Sequence, residues 1–177
     1  LAKGYFEAGS DIVNANTFGA NRLKYPEHLE EIVRNAITLA KEGRHEAKRD
    51  EDGYVALDLG PTGKLLEPLG DLPFEKAIEL YGEVVRIGAT AGADLVLIET
   101  MTDAYEIKAA VLGAKENAQL PILVTVTFDE KGKLLTGATP ETIVALLEGL
   151  GVDALGINCS LGPQQLMPIV KRMTELS

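Results

Sequence analysis

Gly151-Val152-Asp153-Ala154-Leu155-Gly156-Ile157-Asn158-Cys159-Ser160-Leu161-Gly162-Pro163 is the stretch whose reading decides the fold. A glycine suited to ending a helix precedes a polar residue, a short apolar run and a polar exit. Ser160 to Pro163 then read as a turn opening a helix near Gln164. The cadence stands twice more: Gly92-Ala93-Asp94-Leu95-Val96-Leu97-Ile98 leads into Glu99-Thr100, and Asp11-Ile12-Val13, after Gly9, leads into Asn14-Ala15-Asn16-Thr17-Phe18-Gly19. Helix-then-strand units produce this repetition, and it is too weak for a solenoid.

Outward from these stretches lie two more strands, Tyr54 to Leu59 and the β-branched run Ile122 to Phe128. Helices are read over 1–8, 26–48, 73–91, 103–117, 140–150 and 164–176, with Pro26, Pro73 and Pro140 suited to first turns, where no backbone donor is lost. About five strands separated by helices favour an α/β fold with a parallel sheet. An open doubly wound sheet and an incomplete (β/α)8 TIM-type barrel both satisfy that pattern. No composition break divides residues 1–177.

With 46% hydrophobic and 25% charged residues the chain has the composition of a globular domain, and its net charge of −10 argues against a nucleic-acid partner. One cysteine excludes an internal disulfide, and no leader or membrane-length apolar run is visible. The expected setting is a reducing cytoplasm with no membrane partner.

If the strands are parallel, their polar exits share one rim: Asn14, Asn16 and Thr17, then Asp58, then Glu99 and Thr100, then Thr127 and Asp129, then Asn158, Cys159 and Ser160. Glu99 ends an apolar strand, where a charge is costly without a partner; it either caps a turn or receives a substrate ammonium. Cys159 is either a small buried hydrophobe or a thiol placed for chemistry. Gly60-Pro61-Thr62-Gly63-Lys64 lacks the spacing of a phosphate loop, and His28 and His45 fall in helical or charged stretches. No cysteine pair for a closed zinc site and no Gly-x-Ser-x-Gly elbow occur.

Four motifs in order carry a more specific signal: Asn16-Thr17-Phe18-Gly19-Ala20-Asn21, Gly60-Pro61-Thr62-Gly63-Lys64-Leu65-Leu66-Glu67-Pro68, Ile98-Glu99-Thr100-Met101-Thr102-Asp103, and Gly156-Ile157-Asn158-Cys159-Ser160-Leu161-Gly162-Pro163. Together they resemble the homocysteine-binding (homocysteine S-methyltransferase) domain of cobalamin-dependent methionine synthases. The resemblance implies a (β/α)8 barrel in which zinc is held by three thiolates, Cys159 matching the first. It also implies that Glu99 meets the amino group of homocysteine and that Asn158, Asn16 and Thr17 line the pocket. The implied reaction is zinc-dependent methyl transfer from methylcobalamin to homocysteine, giving methionine, with cobalamin- and folate-binding modules elsewhere in the parent enzyme. Asn14-Ala15-Asn16 stands where that family more usually has an acidic residue, Thr and Asn.

The resemblance further implies that the first strand and the last two strand-helix units, with the adjacent cysteine pair, lie outside residues 1–177. The expectation is then an incomplete fragment, inactive by itself, with exposed strand edges at the Asp11 and Ala154 segments and self-association through them. The competing expectation is a non-catalytic partial-barrel scaffold without a metal site.

Overall fold

The computed structural model describes residues 1–177. Its sheet contains β1 (Ile12–Asn14), β2 (Tyr54–Leu59), β3 (Leu95–Met101), β4 (Ile122–Val126) and β5 (Ala154–Ile157). The helices are α1 (Ala2–Glu7), α2 (Leu29–Glu46), α3 (Phe74–Ala91), α4 (Ala104–Asn117), α5 (Pro140–Leu150) and α6 (Pro163–Thr174). No helix is long and apolar enough to cross a membrane.

All four strand pairs are parallel and the spatial order is β1-β2-β3-β4-β5. A doubly wound sheet reverses its strand order at a switch point. None occurs here, and each helix packs on the next from α1 to α6, so the arrangement is that of a partial barrel with its helices outside. β1 and β5 are the open edges.

The aspartates of the repeated cadence set the register. Asp94 carboxylate Oδ2 accepts from the Val55 amide at 2.7 Å, and Asp153 Oδ2 accepts from the Ile122 amide at 2.8 Å, each reaching the first residues of the preceding strand. The third, Asp11, instead pairs with Arg49 at 2.8 Å. Gly92 and Gly151 end α3 and α5 at φ 93° and 64°, a backbone that a side chain would strain.

Strand side chains alternate between two faces. Val13, Val55, Leu57, Leu59, Val96, Ile98, Val124 and Val126 face the helices and form the core with Leu29, Val33, Ile37, Val84, Val85, Ile107, Val111, Ile143 and Leu147. Asn14, Asp58, Glu99 and Asn158 lie on the other, concave face.

Among the boundaries that differ from the sequence reading, three bear on the architecture. Pro26 belongs to a turn before α2, whose first buried residue is Leu29; Pro73 is the N-cap of α3, extended at ψ 144°, rather than part of its first turn. β3 continues through Glu99 and Thr100 to Met101 because a bulge interrupts its register with β4 between Ile98 and Met101.

α3 packs closely on α4 at Gly82 and Gly113, where a methyl added to Gly113 would sit 2.7 Å from the Ile78 carbonyl oxygen and 2.9 Å from the Gly82 nitrogen. Gly113→Ala is expected to cost about 1–3 kcal/mol by overpacking. Gly149→Ala, whose methyl meets nothing within 4 Å on α5, is expected to gain about 0.5–1 kcal/mol. Urea unfolding followed by circular dichroism checks both, and equal midpoints would contradict the close crossing.

Candidate active site

The bulge in β3 shapes the rim. Thr100 sits at φ 60°, which is exceptional for a β-branched residue, and it turns Glu99 and Thr100 toward the exit of β5. Cys159 and Ser160 follow with φ 57° and 61°, so two consecutive left-handed residues carry the chain away from β5 and leave the Cys159 thiol exposed. An exposed thiol at a strained turn is unlike the buried small hydrophobe that a lone cysteine usually is.

Asn158 ties the rim together. Its Nδ2 donates to Glu99 Oε2 at 2.9 Å and to Thr100 Oγ1 at 2.8 Å, and lies 3.5 Å from Cys159 Sγ. Thr127 steadies it by donating to the Asn158 carbonyl at 3.1 Å. From β1, Asn14 Nδ2 reaches Glu99 Oε1 at 3.5 Å. Thr100 Oγ1 stands 3.4 Å from Glu99 Oε2 and 3.8 Å from Cys159 Sγ. Glu99 is thus held by amide and hydroxyl donors from three strands or their exits, and no Lys, Arg or His forms an ion pair with it.

Asp58, on β2, faces the same cluster. It is only 6% exposed and its Oδ1 has no hydrogen-bond donor. Burial first, then the negative charge of Glu99 and a hydrogen bond shared with it, push the Asp58 carboxyl up to about 8, with Asn14 acting in the opposite sense. Two carboxylates are both acceptors, so that bond exists only when one of them carries a proton.

Thr17 is buried and its hydroxyl is fully used: it donates to the Asp58 carbonyl at 2.8 Å and accepts from the Asp58 amide at 3.0 Å. It bears on the cluster by fixing the Asp58 backbone. Asn16 is exposed on the loop leaving β1. Asp129 lies apart in a turn, accepting from the Lys131 and Lys133 amides at 2.9 Å each. His28 pairs with Glu31 at 3.6 Å and His45 with Asp50 at 2.7 Å, both on the solvent side of α2. The Gly60–Gly63 loop is anchored on a protein carboxylate, since the Thr62 amide and hydroxyl donate to Glu106 Oε1 at 2.8 and 2.6 Å.

Of the residues that sequence reasoning placed on the rim without a role, Asp58, Asn14, Thr100 and Thr127 belong to this cluster. Asp58 carried a usable signal: like Glu99 it is an acid inside an otherwise apolar strand. No group of three or more His, Cys, Asp or Glu side chains is placed to hold a metal. Residues 1–177 bring one thiol, and by themselves they do not build a three-ligand zinc centre.

A family model described as homocysteine S-methyltransferase matches residues 1–177. Among curated proteins the chain is 33% identical over 184 residues to a methionine synthase of Mycobacterium leprae (strain TN), covering 97% of this chain and 15% of that protein. It is 31% identical over 188 residues to the methionine synthase of Mycobacterium tuberculosis (strain ATCC 25618 / H37Rv), covering 99% of this chain and 16% of that protein. The chain therefore spans about a sixth of the length of these relatives. Among solved structures, the metallated form of the Escherichia coli homocysteine methyltransferase MmuM superposes with TM-score 0.86 at 21% identity, over 99% of this chain and 67% of that one. The apo form gives 0.81 at 23% identity, over 99% and 66%. At these identities the likeness is one of fold.

The Asp58 environment makes stability depend on pH. The folded carboxyl holds its proton up to about 8 whereas an unfolded aspartate loses it near 3.8, so the folded state binds more protons between those values and loses stability as pH rises through that window. Asp58→Asn removes this slope. Relative to the unchanged protein its urea midpoint is expected to rise progressively from about pH 5 to pH 8, and parallel pH profiles would contradict the assignment.

Proposed function

The chain belongs to the homocysteine S-methyltransferase family, and on that premise we propose that it forms the homocysteine-binding part of a methionine synthase-type enzyme that methylates homocysteine to methionine. The observation that carries the reading is Glu99: a carboxylate held at 2.9 Å by Asn158, beside an exposed thiol and without a cation of its own. A half-buried anion in that state suits a ligand's ammonium group.

On this reading Glu99 receives the amino group of homocysteine, and Asn158 and Asn14 hold the carboxylate in place while leaving its charge uncompensated. Asn158 also spans from Glu99 to Cys159, fixing the separation between the amino-group acceptor and the thiol. Asn16, exposed on the adjacent loop, lines the mouth of the pocket, and Thr17 supports it from below through Asp58.

Cys159 is the thiolate this chain offers to zinc, and a three-thiolate centre needs two more donors from outside residues 1–177. The metallated state of the structurally similar Escherichia coli enzyme supports a metal in this fold. On this reading the methyl donor is methylcobalamin, bound with folate by other modules of the parent enzyme in the cytoplasm; the methionine synthase relatives support the product, methionine. The single thiol and the open edges at β1 and β5 also fit a second reading, a non-catalytic scaffold that associates through those edges.

Two variants of the intact protein separate these readings. Cys159→Ala is expected to lose zinc on dialysis and to lower methionine formation by at least about 100-fold with an unchanged circular dichroism spectrum. Glu99→Gln keeps one acceptor oxygen for Asn158 but removes the charge, and is expected to raise the KM for homocysteine about 10- to 100-fold with a smaller change in kcat. Normal zinc content and turnover in Cys159→Ala would overturn the enzyme reading.

A further inference from the structure

We propose that Asp58 and Glu99 work as one proton-sharing carboxyl pair that takes up a ligand's ammonium group by releasing the shared proton to solvent, so that amine binding at this site is proton-coupled. The proposal rests on the reading of Glu99 as an amino-group acceptor and adds Asp58 as the second half of that acceptor.

The geometry behind it is specific. Asp58 is 94% buried by its 6% exposure, on the concave face, with Oδ1 unpartnered. Native structures rarely leave a buried carboxyl oxygen without a donor, and one turned into a polar cluster marks where a donor belongs. On the same face of the adjacent strand β3, Asp58 is in register with Leu97, two residues before Glu99, and Asn14 of β1 reaches Glu99 at 3.5 Å; the Glu99 charge acts on Asp58 and no cation does. Thr17 clamps the Asp58 backbone from both sides of its peptide, so the carboxyl cannot leave through backbone movement without breaking two bonds. The cluster therefore holds two acids and three neutral polar groups, Asn14, Thr100 and Asn158, but nothing positive.

Without ligand the pair lowers its repulsion by keeping one proton between the two carboxyls, which is the state that burial and the Glu99 charge favour at neutral pH. An arriving ammonium brings three donors and one positive charge. Its N–H groups replace the shared proton as donor to both carboxyls; the proton goes to water, the ammonium keeps all of its own, and the site changes from one negative charge to two, offset by the ligand's positive charge. An amine-free acid of the same length has nothing to displace that proton. The pair thus selects cationic α-amino compounds over the corresponding simple carboxylates.

The test uses L-norvaline, which carries a methyl group where homocysteine has its thiol, and pentanoate, which lacks the amine; neither involves the Cys159 thiol. Binding to the intact protein is measured by calorimetry at pH 7 in two buffers of different ionisation enthalpy. With the carboxyl pair protonated, L-norvaline is expected to release about one proton per site and to bind up to about tenfold tighter per pH unit between pH 6 and 7.5. Asp58→Asn is expected to abolish both the release and the pH dependence, and pentanoate to bind without release or not at all. Norvaline binding without proton release, or with release unchanged in Asp58→Asn, overturns the proton coupling while leaving Glu99 as amino-group acceptor. Absence of norvaline binding overturns that acceptor role and the coupling with it. A measurement that needs no variant covers poor folding of Asp58→Asn: the unchanged protein should show a protonated-carboxyl infrared band at pH 6.5 that disappears on adding norvaline, and its absence overturns the proposal.

Discussion

Parallel pairing in chain order is the constraint on which the rest of this structure depends. Because each strand runs beside the one before it, the five strand exits arrive at one rim and the helices at one side. Nothing about Glu99 or Cys159 alone would bring residues 59 positions apart into contact; adjacency of β3, β4 and β5 does. Asp94 and Asp153 make that adjacency exact in register by accepting an amide from the preceding strand at its first residues. A one-residue slip would turn Asp58 and Glu99 into the helix-facing core, where they could not be accommodated.

Two of the three buried acids of the chain, Glu106 and Asp58, show how the same chemistry separates support from function. Glu106, 3% exposed, concentrates three donors on one oxygen: the Thr62 amide, the Thr62 hydroxyl and the Tyr81 hydroxyl at 3.0 Å. Burial and Glu106 push the Tyr81 phenol well up, which keeps it a donor to this carboxylate. That network is closed, and its work is to hold the Gly60–Gly63 loop against α4. Asp58 is nearly as buried, yet one of its oxygens has no donor and its nearest charge is another acid. The first arrangement stabilises the fold; the second leaves a buried acceptor without a donor at the rim.

Most of the architecture was legible because it rests on local rules. Helix-ending glycines, entrance aspartates and apolar runs located all five strands, and the polar exits located the rim. What stayed hidden depended on neighbours in space. The order of the strands, which separates a barrel from a doubly wound sheet, is a property of pairing and not of period. The β3 bulge and the positive φ of Thr100 arise from its register with β4, and no residue type announces them. Thr17 reads as a pocket residue in sequence, but its hydroxyl is spent on the Asp58 backbone. Asp58 was visible as an acid in an apolar strand, and its coupling to Glu99 required knowing that β2 and β3 are adjacent.

Strain and rigidity are distributed accordingly. The three non-glycine residues of the rim with left-handed backbone, Thr100, Cys159 and Ser160, each cost free energy of about 1–3 kcal/mol where a regular turn would not. They persist because the elements beneath them are inflexible: α3 and α4 meet backbone to backbone at Gly82 and Gly113, and the core behind β2, β3 and β4 is closed. The strained positions are also the ones that bring the Thr100 hydroxyl and the Asn158 amide to the Cys159 sulfur. A looser helix layer would let β3 and the β5 exit relax toward ordinary turns, and the thiol and the carboxyl pair would then drift apart. The close helix packing on the outside and the polar cluster on the inside are therefore one design, in which the first holds the geometry that the second uses.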